Sequence, residues 1–111
     1  MIQFPAPFIF INMKIIITES QYTNLRVKRR YYEIKELVDY ILSKNTPFSK
    51  NSEDSYFSKI IIEIFMGNDL KKILNYENDD VQKIALAITD VFGEYIREYY
   101  RRIRNESINN N

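Results

Sequence analysis

Apolar residues recur with helical spacing along most of this chain. Between residues 30 and 44 they occupy one helical face, at Ile34, Leu37, Val38, Ile41 and Leu42. A longer stripe follows near the carboxyl terminus, comprising Val81, Ile84, Ala85, Ile88, Phe92, Tyr95, Ile96, Tyr99 and Ile103. Its period is nearer 3.6 than 3.5 residues, which indicates globular packing rather than a coiled coil. The pattern therefore predicts an amphipathic helix over 30–44 and a long helix from about Asp80 to Arg104.

Local signals predict a short helix between residue 18 and the amphipathic helix. Thr18 and Gln21 have the spacing of a capping box, so we expect this helix to begin at Thr18. Its apolar residues, Tyr22 and Leu25, face roughly opposite to the stripe that follows, although no Gly or Pro separates the two segments. We therefore predict a break between residues 27 and 30.

The middle of the chain reads as a loop followed by two helices. Residues 45–55 have loop composition, and we expect Phe48 to hold that loop against the core. A helix should run from Ser55 to Gly67 at the C′ position, and a short one should follow from a cap at residues 68–69. Asp79 or Asp80 is the expected cap of the last helix.

The first seventeen residues differ in character from the rest. Phe8–Ile11 and Lys14–Ile17 are β-branched and aromatic runs, which favour extended structure. They are interpreted as a hairpin or arm over a helical core, or as an edge that adds to a partner's sheet. A third interpretation makes Met13 the natural start and residues 1–12 an upstream extension. With Pro5 and Pro7, and without a preceding Lys or Arg, the segment does not resemble a signal peptide.

These elements predict a mainly α-helical fold with one small domain. At 111 residues, one modest core is expected. We predict an extended apolar arm over 1–17, a helical bundle over 18–105 and a frayed tail over 106–111. The last helix would be about 37 Å long, so its end is expected to project or to pack on a second copy.

Composition removes most catalytic chemistry. The chain has no His and no Cys, which excludes imidazole bases, thiolate nucleophiles and soft metal ligand sets. Only Gly67 and Gly93 are available, too few for a glycine-rich phosphate loop; Gly93 instead suggests close approach of another helix. We predict that the protein is not an enzyme and has no catalytic residues, cofactor or metal.

The carboxylates are better explained by structure than by catalysis. Glu33 with Glu36, and Glu94 with Glu98, lie among basic residues and predict solvated ion-pair faces. The acidic loops at 53–54 and 77–80 lack the alternating ligand spacing of a calcium loop.

Two basic clusters are the candidate contact residues, comprising Arg26, Lys28, Arg29 and Arg30, and Arg97, Tyr100, Arg101 and Arg104. On a helical wheel the later arginines face away from the apolar stripe, flanked by Tyr100. Such residues grip phosphates and stack on bases. Alternatively, they oppose helix dipoles, pair with Glu94 and Glu98, or contact a protein partner. A formal net charge of +1 is far from the excess of a dedicated nucleic-acid binder.

The residues that open the first helix carry one resemblance. Ile17, Thr18, Glu19, Ser20 and Gln21, followed by Tyr22 and Leu25, resemble the start of many short uncharacterised proteins of tailed bacteriophages. The stretch over 29–48 is also similar to that group. The resemblance covers about a quarter of the chain and implies a phage origin, but no catalytic residue.

Together these observations predict a noncatalytic phage-type protein that acts through protein–protein interaction, either in the virion or on a host factor. Self-association is an accompanying expectation. The alternative is a nucleic-acid-binding accessory protein that uses residues 26–30 and 97–104. The expected location is the host cytoplasm or the virion, with no membrane span and no small-molecule substrate.

Overall fold

The computed structural model describes residues 8–10, 16–48 and 50–109. The elements in chain order are β1 (Phe8–Phe10), β2 (Ile16–Thr18), α1 (Glu19–Arg29), α2 (Tyr31–Lys44), α3 (Glu53–Met66), α4 (Asp69–Leu74), a 3-10 turn (Asn78–Asp80) and α5 (Val81–Asn109). The mainly helical class and the long last helix are as predicted, and the described parts of the amino-terminal arm, residues 8–10 and 16–17, are extended.

The two short strands pair with each other beside the first helix. β1 and β2 are antiparallel, with Ile9 opposite Ile17, and both contact α1. The hairpin interpretation therefore describes these residues. Met13, the proposed alternative start, lies outside the described residues, as do residues 1–7.

The predicted capping box begins the first helix. The Gln21 backbone N–H donates to the Thr18 hydroxyl at 3.1 Å, and the Thr18 N–H donates to the Gln21 side chain at 2.8 Å. Thr18 is thus the residue before the helix rather than its first turn. The predicted break is also present, because Arg30 leaves helical geometry at φ −108°, ψ 27° between α1 and α2.

The loop before α3 buries a different residue from the predicted Phe48. Pro47 is buried, whereas Phe48 is 65% exposed. The backbone turns between Phe48 and Asn51, whose N–H donates to the Phe48 carbonyl at 3.0 Å, and the phenyl ring is left outside. Ser52 then caps α3, which begins at Glu53, two residues before the predicted start.

The ends of the later helices also depart from the predicted caps. Gly67 was predicted at C′, the position after the C-cap of α3. It is instead the C-cap itself and has an extended backbone, at φ −93°, ψ −171°. Asn75, not a glycine, takes the left-handed conformation after α4, at φ 53°. The 3-10 turn leads into α5, with the Asp80 N–H bonded to the Glu77 carbonyl at 2.9 Å.

The last helix is longer than predicted and packs against both α1 and α2. It extends from Val81 to Asn109 and so enters the segment over 106–111, whose fraying stays a prediction. α1 and α2 follow it in succession: Asn24 bonds Asp90 at 3.4 Å, and Tyr99 donates to the Leu42 carbonyl at 3.3 Å. Two consecutive helices thus supply the partner length that a single helix lacks.

One core joins all five helices. The Tyr31 ring stacks on Phe92 with centroids 5.0 Å apart, next to the contact between α3 and α5. The large, fully buried side chains of the described residues are Val27, Ile34, Val38, Leu42, Ile60, Ile64, Leu70, Ile84, Ile88, Phe92 and Ile96. Among the described helices, none has both the length and the apolar content needed to cross a membrane.

Candidate binding site

The arginines near the carboxyl end of α5 are engaged with α3. Arg97 lies 2.9 Å from both Glu53 and Asp54, and Arg101 lies 2.9 Å from Glu53 and 3.2 Å from Glu94. Hydrogen bonds from Arg101 and then Arg97 lower the pKa of Glu53 to about 2. Because their charges are matched within the chain, these two arginines are already committed to folding contacts.

Tyr100 is not the exposed stacking platform that the helical wheel suggested. Its side chain is buried, donates to the Asn51 carbonyl and packs against Tyr56 with ring centroids 5.4 Å apart. Arg104 donates to the same carbonyl at 3.1 Å and to the Tyr100 hydroxyl. The error arose because Tyr100 follows Phe92 and Ile96 at four-residue spacing, which puts it on the buried row of the helix.

The first basic cluster is less neutralised than the second. Arg26 donates to the Leu74 carbonyl at 2.9 Å, and Arg30 pairs with Glu33 at 3.0 Å. Lys28 and Arg29 are exposed, and neither forms an ion pair with any described residue. Lys28 and Arg29 are therefore available to a ligand, and the ion pair of Arg30 with Glu33 is exposed to solvent.

Two clefts meet on the short helix α4. The α1–α4 cleft has a volume of about 280 Å³ and is lined by Tyr22, Arg26, Arg29, Arg30, Ile73, Leu74 and Asn75. The α2–α4 cleft has a volume of about 410 Å³ and is lined by Glu36, Leu37, Tyr40, Asp69, Lys72 and Ile73. Ile73 lines both clefts, and we call the two clefts together the α4 surface.

The α4 surface mixes apolar, aromatic and charged groups. Ile73 and Leu37 are half-buried apolar residues of the α2–α4 cleft. Tyr40 lines the same cleft, with 59% of its surface exposed. Arg29 and Arg30 line the α1–α4 cleft, and Glu36, Asp69 and Lys72 line the α2–α4 cleft. The surface therefore offers apolar contact in both clefts and an excess of positive charge in the α1–α4 cleft.

Sequence reasoning found one end of this surface and missed the other. Arg26, Arg29 and Arg30 were candidate contacts, but Tyr40 and Ile73 were not. Tyr40 lies three residues after Leu37, on the margin of the α2 apolar face, which is the signal that could have indicated it. Nothing in the six-residue α4 segment indicates which helices it lies between.

The described residues contain no group of three or more Asp, Glu, His or Cys side chains placed to hold a metal ion. The residues that line the α4 surface offer apolar contact, hydrogen bonding and charge. Comparison with protein-family models, with curated proteins and with solved structures gives no match for this chain.

Proposed function

We propose that this protein acts without catalysis by binding another protein through the α4 surface. The observation that carries the proposal is that two clefts meet at Ile73 and join exposed tyrosines to a positively charged end. Tyrosine and arginine are enriched at the centres of protein interfaces, because they combine large contact area with hydrogen-bonding groups.

The charges and apolar groups of the α4 surface favour one kind of partner. Arg29 and Arg30 favour an acidic group at the α1–α4 cleft, and Ile73 with Tyr40 favours an apolar side chain beyond it. A protein segment that carries an acidic residue followed by an apolar anchor would match both. The resemblance of residues 17–25 to phage proteins motivates a virion component or a host factor as the partner.

A nucleic-acid accessory role is the second candidate. It is favoured by Lys28 and Arg29, which make no ion pair with the described residues, and by Tyr22, which lines the same cleft as Arg29. It is weakened by Arg97 and Arg101, whose charges are matched by carboxylates. Phosphate contacts would make such binding fall steeply as the salt concentration rises.

The test is capture from host and phage lysates, with and without nuclease, using wild type and matched variants. We expect Tyr40→Ala and Arg29→Ala to lose at least about tenfold of the captured protein, because each removes a contact of hot-spot type. Tyr32→Ala and Lys50→Ala are the controls, since both side chains are exposed and neither lines the α4 surface.

The outcome separates the two functions. Nuclease-resistant capture of a protein that depends on Tyr40 and Arg29 supports the protein interaction. Capture that disappears with nuclease, depends on Arg29 and weakens with salt supports the nucleic-acid role instead. Equal capture by the Tyr40 variant and its control would rule out the α4 surface as the protein-binding site.

A further inference from the structure

The outer face of α3 is open although its opposite face is in the core. An open groove of about 670 Å³ runs along it, lined by Asp54, Ser55, Ser58, Lys59, Ile62, Glu63 and Met66. Ile62 is 60% exposed and Met66 is 75% exposed. We call these seven residues the α3 outer face. None of them belongs to the α4 surface.

Two opposite charges on this face lack partners in the described part of the chain. One carboxylate oxygen of Glu63, Oε2, is buried and accepts no hydrogen bond. Lys59 is exposed one helical turn earlier, yet it forms no ion pair with Glu63 or with any other described carboxylate. Oε2 itself is too buried to be reached from outside, but the half-buried Glu63 carboxylate and the exposed Lys59 ammonium carry opposite charges that a second copy can pair.

The order of side chains along α3 is self-complementary when the helix is reversed. An antiparallel copy related by a twofold axis between residues 60 and 61 brings Met66 opposite Ser55. The same axis brings Ile62 beside the aliphatic stem of Lys59, and Glu63 beside both Ser58 and Lys59. Met66 and Glu63 thus lie opposite small serines, Ile62 packs on the lysine stem, and each Glu63 lies beside a lysine.

We infer that the α3 outer face binds a second copy of this chain, with the two α3 helices antiparallel. A twofold interface uses the same patch on both subunits, so a single face must supply both halves of every contact. The α3 outer face does so. Lys59 of one copy supplies the positive charge beside Glu63 of the other, and the small Ser55 leaves space for the Met66 side chain.

The size of the face indicates a weak dimer. A helix of 14 residues is about 21 Å long, and a pair of such helices buries less than the roughly 1,200 Å² of a standard stable interface. The assembly should therefore form at protein concentrations of about 10 μM to 1 mM.

The experiment is sedimentation equilibrium over that concentration range with charge-reversal variants. We expect wild type to dimerise, and Lys59→Glu and Glu63→Lys each to weaken the dimer at least about tenfold, because like charges then face each other twice. An equimolar mixture of the two variants should regain wild-type affinity, since both facing pairs become Glu with Lys. Altered monomer stability cannot produce that recovery.

A second set of variants does not depend on Glu63→Lys folding normally. In Ser55→Cys/Met66→Cys, oxidation should link two chains through residue 55 of one and residue 66 of the other, because the natural chain has no cysteine. Ser43→Cys/Leu86→Cys, at exposed positions away from α3, should link far more slowly.

Wild type that stays monomeric at every concentration would overturn the inference. So would variants that weaken the dimer without recovery on mixing, or cysteine pairs that link at equal rates. The proposed function fails independently, because it is measured by lysate capture with the α4-surface variants.

Discussion

Individual polar side chains of α5 fasten the bundle together. Arg97 lies over the Phe57 ring, with its guanidinium carbon 4.3 Å from the ring centroid, while it pairs with Glu53. Asp39 of α2 accepts hydrogen bonds from Lys35 and from Tyr95 of α5, and these contacts raise the pKa of both donors. Residues that look like a solvated charged face in sequence therefore connect three helices.

Glu53 should make folding stability depend on acid pH. Its pKa in the folded chain is about 2, below its ordinary value of 4.5, because Arg101 and Arg97 donate to the carboxylate. Its stabilising effect is therefore complete above about pH 4.5 and is lost as the pH falls towards 2. Urea unfolding of wild type and Glu53→Gln across this range should show a smaller decrease for the variant. Equal decreases would contradict the assignment.

At the scale of the element, α5 accommodates α3 at a glycine. Gly93 is buried, and a Cβ added there would lie 3.7 Å from the Phe57 ring, an ordinary contact distance. The predicted close approach of a second helix is present, but it leaves room for one methyl group. The glycine therefore weakens the helix without being required by packing.

Gly93→Ala should stabilise the protein by up to about 1 kcal/mol, because alanine has the higher helix propensity and no atom must move. The melting temperature should rise by roughly 4–8 °C, which thermal unfolding monitored by circular dichroism can measure. Gly93→Val is the contrasting variant: its branched side chain would press on Phe57 and lower stability. A destabilised alanine variant would mean that the helices are closer than described.

At the scale of the molecule, the bundle is organised around α5. α1 and then α2 pack along its length. α3 also packs against it, with Glu53 near Arg101 and Phe57 near Gly93. Phe92 lies at the centre of this arrangement, fully buried and stacked on Tyr31. One ring therefore joins the long helix to the point where α1 gives way to α2.

Phe92→Ala should cost about 3–5 kcal/mol of unfolding free energy, because the cavity it leaves is surrounded by side chains from several helices. That cost is a large part of the stability of a domain of this size. Urea unfolding is the measurement, with Leu86→Ala as the control, since Leu86 lies on the same helix but is 69% exposed. The control should change stability by less than about 0.5 kcal/mol. Similar losses for both would place Phe92 outside the core.

The sequence by itself determined the elements of this protein. The spacing of apolar residues predicted α2 and α5, the capping box predicted the start of α1, and the change of face around Val27 predicted the break at Arg30. These features are local, because hydrogen bonding within a helix and the period of its buried face depend on neighbouring residues. The helix ends were less predictable, because several polar residues near Ser52 and Asn75 could equally have served as the cap.

Only the tertiary structure decided which residues meet. The sequence could not show that Arg97 and Arg101 would reach Glu53, forty or more positions away, or that Tyr100 would be buried against Tyr56. Nor could it show that Ile73 would lie between two clefts. Long-range pairing depends on how the helices pack, and packing is determined by the whole core at once. The candidate surfaces therefore emerged only with the fold.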